Sequence, residues 1–265
     1  MSSNNCLNCG KILTDKFCSG CGQKADTHRI TFKNFIFHDL LHGTFHIERG
    51  ILFTAKQALT RPGKAALDYI SGKRKQYYNV FYFILLTFGV MLFIRHFYAE
   101  LITEHGKILV SDEPKIDDAS KRVNNMIYQN SKYILLLFVP LGAINSFLLF
   151  KRKKLNLTEH AIISGMILLG CLLISTFGHI LFYLNLVFKD FVAVIVNVLT
   201  PTIIFFYIGF TYYNAFSENY TRLGILYRIV LFYVFLCLEL IIFTFILIGI
   251  ATDWKMDTVV ISPFG

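Results

Sequence analysis

Charge is scarce in this chain: 16% of its 265 residues are Asp, Glu, Lys or Arg, against 55% hydrophobic. That balance excludes an ordinary solvated globule, and several apolar runs reach membrane-spanning length. The chain also lacks a Gly-rich phosphate loop, a serine elbow and an HExxH motif, so no kinase or hydrolase site is legible. No internal repeat of the kind found in many transporters is evident. The stretch from Met1 to Cys6 has neither a charged n-region nor an apolar h-region. The expectation is that no signal peptide is cleaved and that the N-terminal module stays in the cytoplasm.

What is present begins with cysteine. Four of the six cysteines, Cys6, Cys9, Cys18 and Cys21, lie in two Cys-x-x-Cys-Gly turns, while Cys171 and Cys237 sit inside apolar runs. In a reducing compartment such clustering favours metal over disulfides. In each turn the glycine after the second cysteine permits a positive φ, so that both sulfurs face one point. Ligand type and pairing favour a structural zinc ribbon over residues 1–24, whose folding depends on its metal. A rubredoxin-type iron centre or a redox dithiol pair would use the same thiols.

Residues 25–78 form a juxtamembrane segment, too interrupted by Lys, Arg and His to span a bilayer and too aromatic for a solvated linker. It reads as amphipathic helices lying on the membrane surface. His38, His42 and His46 recur every fourth residue and would stack along one face of a continuous helix, with Asp39 or Glu48 as further ligands for a second metal. Gly43 interrupts that face, and histidines at the polar boundary of an interfacial helix are the plainer reading. A helix from Gly50 to Leu59 is broken by Arg61-Pro62-Gly63, and another follows from Lys64 to Ile70. Lys73, Arg74 and Lys75, followed by Tyr77 and Tyr78, read as a membrane-surface anchor for anionic headgroups. Because the basic residues gather beside apolar segments and not on one folded domain, nucleic acid is not the expected partner.

The expected fold is an α-helical integral membrane protein, with residues 79–265 carrying five transmembrane helices at about 80–97, 133–150, 161–184, 191–213 and 226–250. Lys and Arg crowd the approach to the first span and return at Lys151 to Lys154, whereas residues 99–132 are richer in acids. The positive-inside rule then places the N-terminus in the cytoplasm and the C-terminus outside. Within the spans, Glu239, His179 and Asn197 are candidates for a polar route, Asn145 lies toward the cytoplasmic side of the second span, and Pro201 is expected to kink the fourth. The plainer reading of Glu239 is a hydrogen bond to a neighbouring helix.

The combination of Cys6, Cys9, Cys18, Cys21-Gly22-Gln23, residues 26–30, the Phe45-His46 to Gly50 region, Arg61-Pro62-Gly63 and Gly72-Lys73-Arg74 resembles an uncharacterised family of bacterial zinc-ribbon membrane proteins, domain of unknown function 3667. The resemblance covers about the first third of the chain. It implies a bacterial inner-membrane location and this architecture, and it implies no reaction. Val80 departs from the family, which often has proline after the basic run, and this bears on how the first span is entered. A looser similarity of layout is to bacterial Yip1-like trafficking proteins. The leading expectation is a non-enzymatic protein whose ribbon and surface helices dock an unidentified protein or lipid. The alternatives are a transporter or channel-like protein using Glu239 and His179, and a membrane metalloenzyme using His38, His42 and His46.

Overall fold

Pro62 separates the first two helices among the described residues. Helix α1 runs Gly50–Thr60 and α2 runs Pro62–Ile70, with the proline at the first helical position, where its missing N–H is not needed. The Arg61 side chain folds back to donate to Gln57 Oε1. At the far end of α2, Ser71 N donates to Leu67 O at 2.8 Å, and Gly72 reverses the chain with φ of +105°. The computed structural model describes residues 5–25, 27, 30, 50–104, 118–188, 191–251 and 254. His38, His42 and His46 lie outside the described residues.

Helix α3 spans Val80–Glu104. Its start is capped by Asn79, whose Oδ1 accepts from Phe81 N at 3.0 Å. Val80 thus occupies the first helical position, where proline is also accommodated because no intrahelical donor is required there. Helix α4 runs Asp118–Leu149 and α5 runs Leu157–Phe182. Between them a tight turn over Lys151–Lys153 ends at Lys154 in the left-handed region, φ 52°, before Asn156 and Glu159 close a capping box. After a single turn at Asn185–Phe188 come α6, Phe191–Phe216, and α7, Arg222–Ala251. Pro201 lies inside α6, which continues through it.

Among the described residues four helices contain segments long and apolar enough to cross a membrane: Val80–Ile102, Leu157–Phe182, Val192–Phe216 and Arg222–Ile250. The span expected at 133–150 differs. The apolar part of α4 is Leu135–Leu149, about 22 Å of helix against a hydrocarbon layer of about 30 Å. Upstream the same helix continues through Lys121, Arg122, Asn124 and Asn125, so its length exceeds its apolar run.

Helix α5 is the hub, touching α1, α2, α3, α4 and α6. In its most apolar stretch 61% of residues are buried, against 11% in α7, where large apolar side chains such as Leu223, Ile241 and Ile242 face outward. That outward apolar surface is what a hydrocarbon solvent accommodates. The turns at one end are tied together by aromatic rings. Phe150 stacks on Phe216 at 4.5 Å and on Tyr212 at 5.3 Å, and meets Tyr220 edge-on at 5.9 Å. Tyr220 in turn receives Arg152 at 4.9 Å and Arg228 at 4.3 Å over its ring.

The faces of α1 and α2 that read as membrane-facing meet protein over much of their area: Thr54, Ala58, Ala65 and Ala66 are fully buried, while Leu52 remains exposed. The closest approach is at Gly63. A Cβ there would lie 2.5 Å from Ala215 N and nearer still to Thr211 O, so α2 meets α6 backbone to backbone. Tyr207 on α6 also donates to Ala58 O at 2.6 Å. Gly63→Ala is therefore predicted to lower stability by about 1–3 kcal/mol through overpacking. Gly89→Ala, whose Cβ meets nothing within 4 Å, should leave stability unchanged or slightly higher. Thermal unfolding of both variants in the same micelles checks the contrast.

Candidate metal centre

The two cysteine turns are built alike, bond for bond. Cys6 N donates to Lys11 O and Cys18 N to Gln23 O, both at 2.8 Å; Gly10 N returns to Cys6 O and Gly22 N to Cys18 O, also at 2.8 Å. Gly10 and Gly22 have φ of +77° and +73°, conformations that residues with a Cβ rarely adopt. Isolated antiparallel bridges, Asn5 with Ile12 and Phe17 with Lys24, close each turn.

Folded this way, the turns bring all four Sγ atoms within 4.8 Å of one another, with Cys9 and Cys18 at 3.5 Å and Cys6 and Cys21 at 3.6 Å. A tetrahedral ion with metal–sulfur bonds of about 2.3 Å needs sulfurs about 3.8 Å apart, so the donor set fits a metal ion. The local electrostatics also favour thiolate at one member. Backbone N–H groups of Cys21 and Gly20 draw the Cys18 thiol down to about 6, Gly20 N lying 3.3 Å from its sulfur. At Cys9 the Lys11 N–H favours the thiolate, but the bond to Cys18, desolvation and the bonds to Cys21 and Cys6 together push the thiol up to about 12. A cation bound by the four sulfurs would displace the protons that their thiols carry.

The module is fastened to the membrane-proximal chain by Gln23, which is buried. Its Nε2 donates to Gly72 O at 2.8 Å, and its Oε1 accepts from Arg74 N at 3.3 Å and Lys75 N at 3.2 Å. Leu7 packs on the same turn so closely that a Cβ on Gly72 would lie 2.6 Å from Leu7 Cδ1. The two sequence features, Cys21-Gly22-Gln23 and Gly72-Lys73-Arg74, are therefore halves of one contact.

The basic run is engaged within the protein as well. Lys73 Nζ lies 2.8 Å from Asp68 Oδ1, and the Arg74 guanidinium lies 5.8 Å from the centre of the Tyr69 ring, while Lys75 is exposed. Tyr77 donates to Asp68 Oδ2 at 3.3 Å, and burial followed by the Asp68 charge pushes its phenol up to about 12.

The intramembrane candidates are placed separately. Glu239 Oε2 accepts from Asn145 Nδ2 at 3.0 Å, joining α7 to α4. His179 Nδ1 lies 2.7 Å from Ser175 O on its own helix, and Asn197 is exposed on α6. Among the described residues no hydrogen bond links His179, Asn197 and Glu239 to one another. A polar contact that sequence reasoning passed over is Ser146 Oγ with His160 Nδ1 at 2.9 Å, both buried between α4 and α5. The available signal was a polar residue in each apolar run flanking Lys151 to Lys154.

Fold and site together define a helical protein of membrane-spanning character that carries a four-cysteine module with metal-binding geometry. Residues 48–92 match the model of an uncharacterised family described as protein of unknown function (DUF3667). That stretch takes in α1, α2, the Gly72 turn held by Gln23 and the first half of α3. No curated protein and no solved structure matches the chain, and neither comparison carries the looser likeness to Yip1-like proteins.

Replacing Cys6, Cys9, Cys18 and Cys21 together by serine is predicted to remove one equivalent of bound metal per chain, read by elemental analysis of purified protein. In the wild type, occupancy should fall between about pH 7 and about pH 5, because protons compete for thiolates. A chromogenic chelator reports the release.

Proposed function

We propose that this is a non-enzymatic, multi-pass membrane protein whose zinc-bound ribbon is a docking module held at the cytoplasmic end of a five-helix bundle. The observation that carries the reading is the Gln23 clamp: a module with four protein ligands and no open coordination position is fixed against the membrane domain and is not left on a free tether. Zinc is the ion of this reading because four thiolates in tetrahedral reach suit it best. The clamped module turns two apolar side chains outward, Ile12 at 66% and Phe17 at 59% exposure, which suits contact with a partner protein.

The orientation follows from charge. The Lys73 to Lys75 and Lys151 to Lys154 runs lie at the end of the bundle that carries the ribbon, and the positive-inside rule assigns that end to the cytoplasm. In this reading α4 completes a fifth span despite its shorter apolar run, the C-terminus lies outside, anionic headgroups surround the basic rim, and the membrane is a bacterial inner membrane.

A photo-crosslinking residue at Phe17 tests the proposal in living cells. The expected outcome is a discrete protein adduct at Phe17, absent from the same probe at lipid-facing Leu223. It should disappear when Cys6 and Cys9 are changed to serine although the protein remains inserted. An adduct that survives loss of the cysteines, or none from the intact ribbon, would sink the docking role.

A further inference from the structure

Beneath the ribbon lies a cleft of about 720 Å³ between Asn8 of the cysteine module, α2, the 151–155 turn and the end of α6. A second cleft of about 500 Å³ adjoins it, with Ile70, Ser71, Lys153 and Leu155 in both walls. The larger one is lined by four cations, Arg61, Lys64, Lys73 and Lys153, and by only two carboxylates, Asp68 and Glu218. Asp68 is shared between Lys73 at 2.8 Å and Arg61 at 4.0 Å, so one carboxylate answers two cations. Glu218 reaches Lys64 at 3.9 Å, with side chains 76% and 51% exposed, a pair that water largely screens.

Lys153 forms no ion pair among the described residues, and it stands in both clefts. The strained Lys154 turn that follows it and the aromatic knot around Phe150 before it fix its place. Burial is the first influence on its ammonium and draws it below the usual lysine value; Glu218 opposes that and nearby Lys64 reinforces it. A half-buried cation with surplus positive charge around it is stabilised by an incoming anion, and the apolar wall of Leu67, Ile70 and Leu155 gives room for the organic part of a ligand. Glu159 lines the smaller cleft only, where its carboxylate accepts from Asn156 N at 2.8 Å in the capping box; the larger cleft, with its four cations, is where an anion is favoured.

We infer that this cleft is a binding site for a phosphate-bearing anion, gripped by Lys153, Lys64 and Arg61. The inference rests on the ribbon being seated as described, since Asn8 forms part of one wall and Leu7 of the other. It does not depend on what the outer face of the ribbon docks.

The test uses the full chain in phosphatidylcholine nanodiscs, probed with inorganic phosphate by calorimetry and with added phosphatidylglycerol by native mass spectrometry. Lys153→Gln, and Lys153→Gln with Lys64→Gln, should weaken binding at least tenfold, while Lys11→Gln with Lys16→Gln on the exposed ribbon should leave it unchanged. Binding of inorganic phosphate with this dependence identifies a soluble phosphate as the source. Binding of phosphatidylglycerol alone identifies a lipid headgroup. Equal affinity in the Lys153→Gln protein, or an equal loss in the ribbon control, overturns the site. Metal content and the thermal midpoint of each variant show that the fold and ribbon are intact. Gln23→Ala separates the two readings: if it leaves the ribbon unsettled while Lys153→Gln in the clamped protein still binds as tightly as wild type, the cleft fails independently of the mount.

Discussion

The carboxamide of Gln23, threaded onto the backbone of Gly72 to Lys75, is the contact through which the cysteine module becomes part of the membrane domain. A module of this size buries too little to fold by apolar collapse alone, so a metal held by the four thiols would supply folding energy while the clamp supplies the position. Both ends of the clamp need glycine. Gly22 turns the chain so that Gln23 follows the second cysteine pair, and Gly72 at φ +105° leaves room for Leu7. Bound backbone groups and a side chain packed on the same turn restrain both translation and tilt of the module.

The membrane domain is organised on a different principle. α5 is wrapped by neighbours, whereas α6 and α7 present apolar side chains outward, as helices do when the solvent is hydrocarbon. Association in such a solvent relies on close backbone approach and on polar ties, and both are found here. Gly63 lets α2 touch α6, while Asn145 with Glu239 and Ser146 with His160 tie α4 to its neighbours. Where the helices end, rings replace hydrocarbon as the packing medium, and Tyr220 between Arg152 and Arg228 lets two cations sit against the bundle.

Local features were the legible ones. The paired cysteines with their following glycines, the helix break at Arg61-Pro62-Gly63 and the stop at Ser71-Gly72 each arise from neighbouring residues, and their geometry appears where the sequence pattern places it. Contacts between distant residues were not legible. Nothing near Gly63 announces Ala215 as its neighbour, and nothing in Gly72-Lys73-Arg74 announces Gln23 or Asp68, so the basic run reads as a lipid anchor although Lys73 is paired within the protein. Helix α4 illustrates another limit: an apolar run near spanning length continues a longer polar helix, which hydropathy and helix propensity describe separately. His160 escaped notice because a histidine at the edge of an apolar run looks like a boundary residue until the facing Ser146 is known.

Hydrogen exchange of the Gly72 to Lys75 amides, in wild type and in Gln23→Ala with metal content matched, tests the clamp most directly. The account predicts that the Arg74 and Lys75 amides, which donate to Gln23 Oε1, exchange at least tenfold faster in the variant while the four cysteines keep their metal. Unchanged exchange at those two amides would contradict it, leaving the ribbon tethered and not mounted.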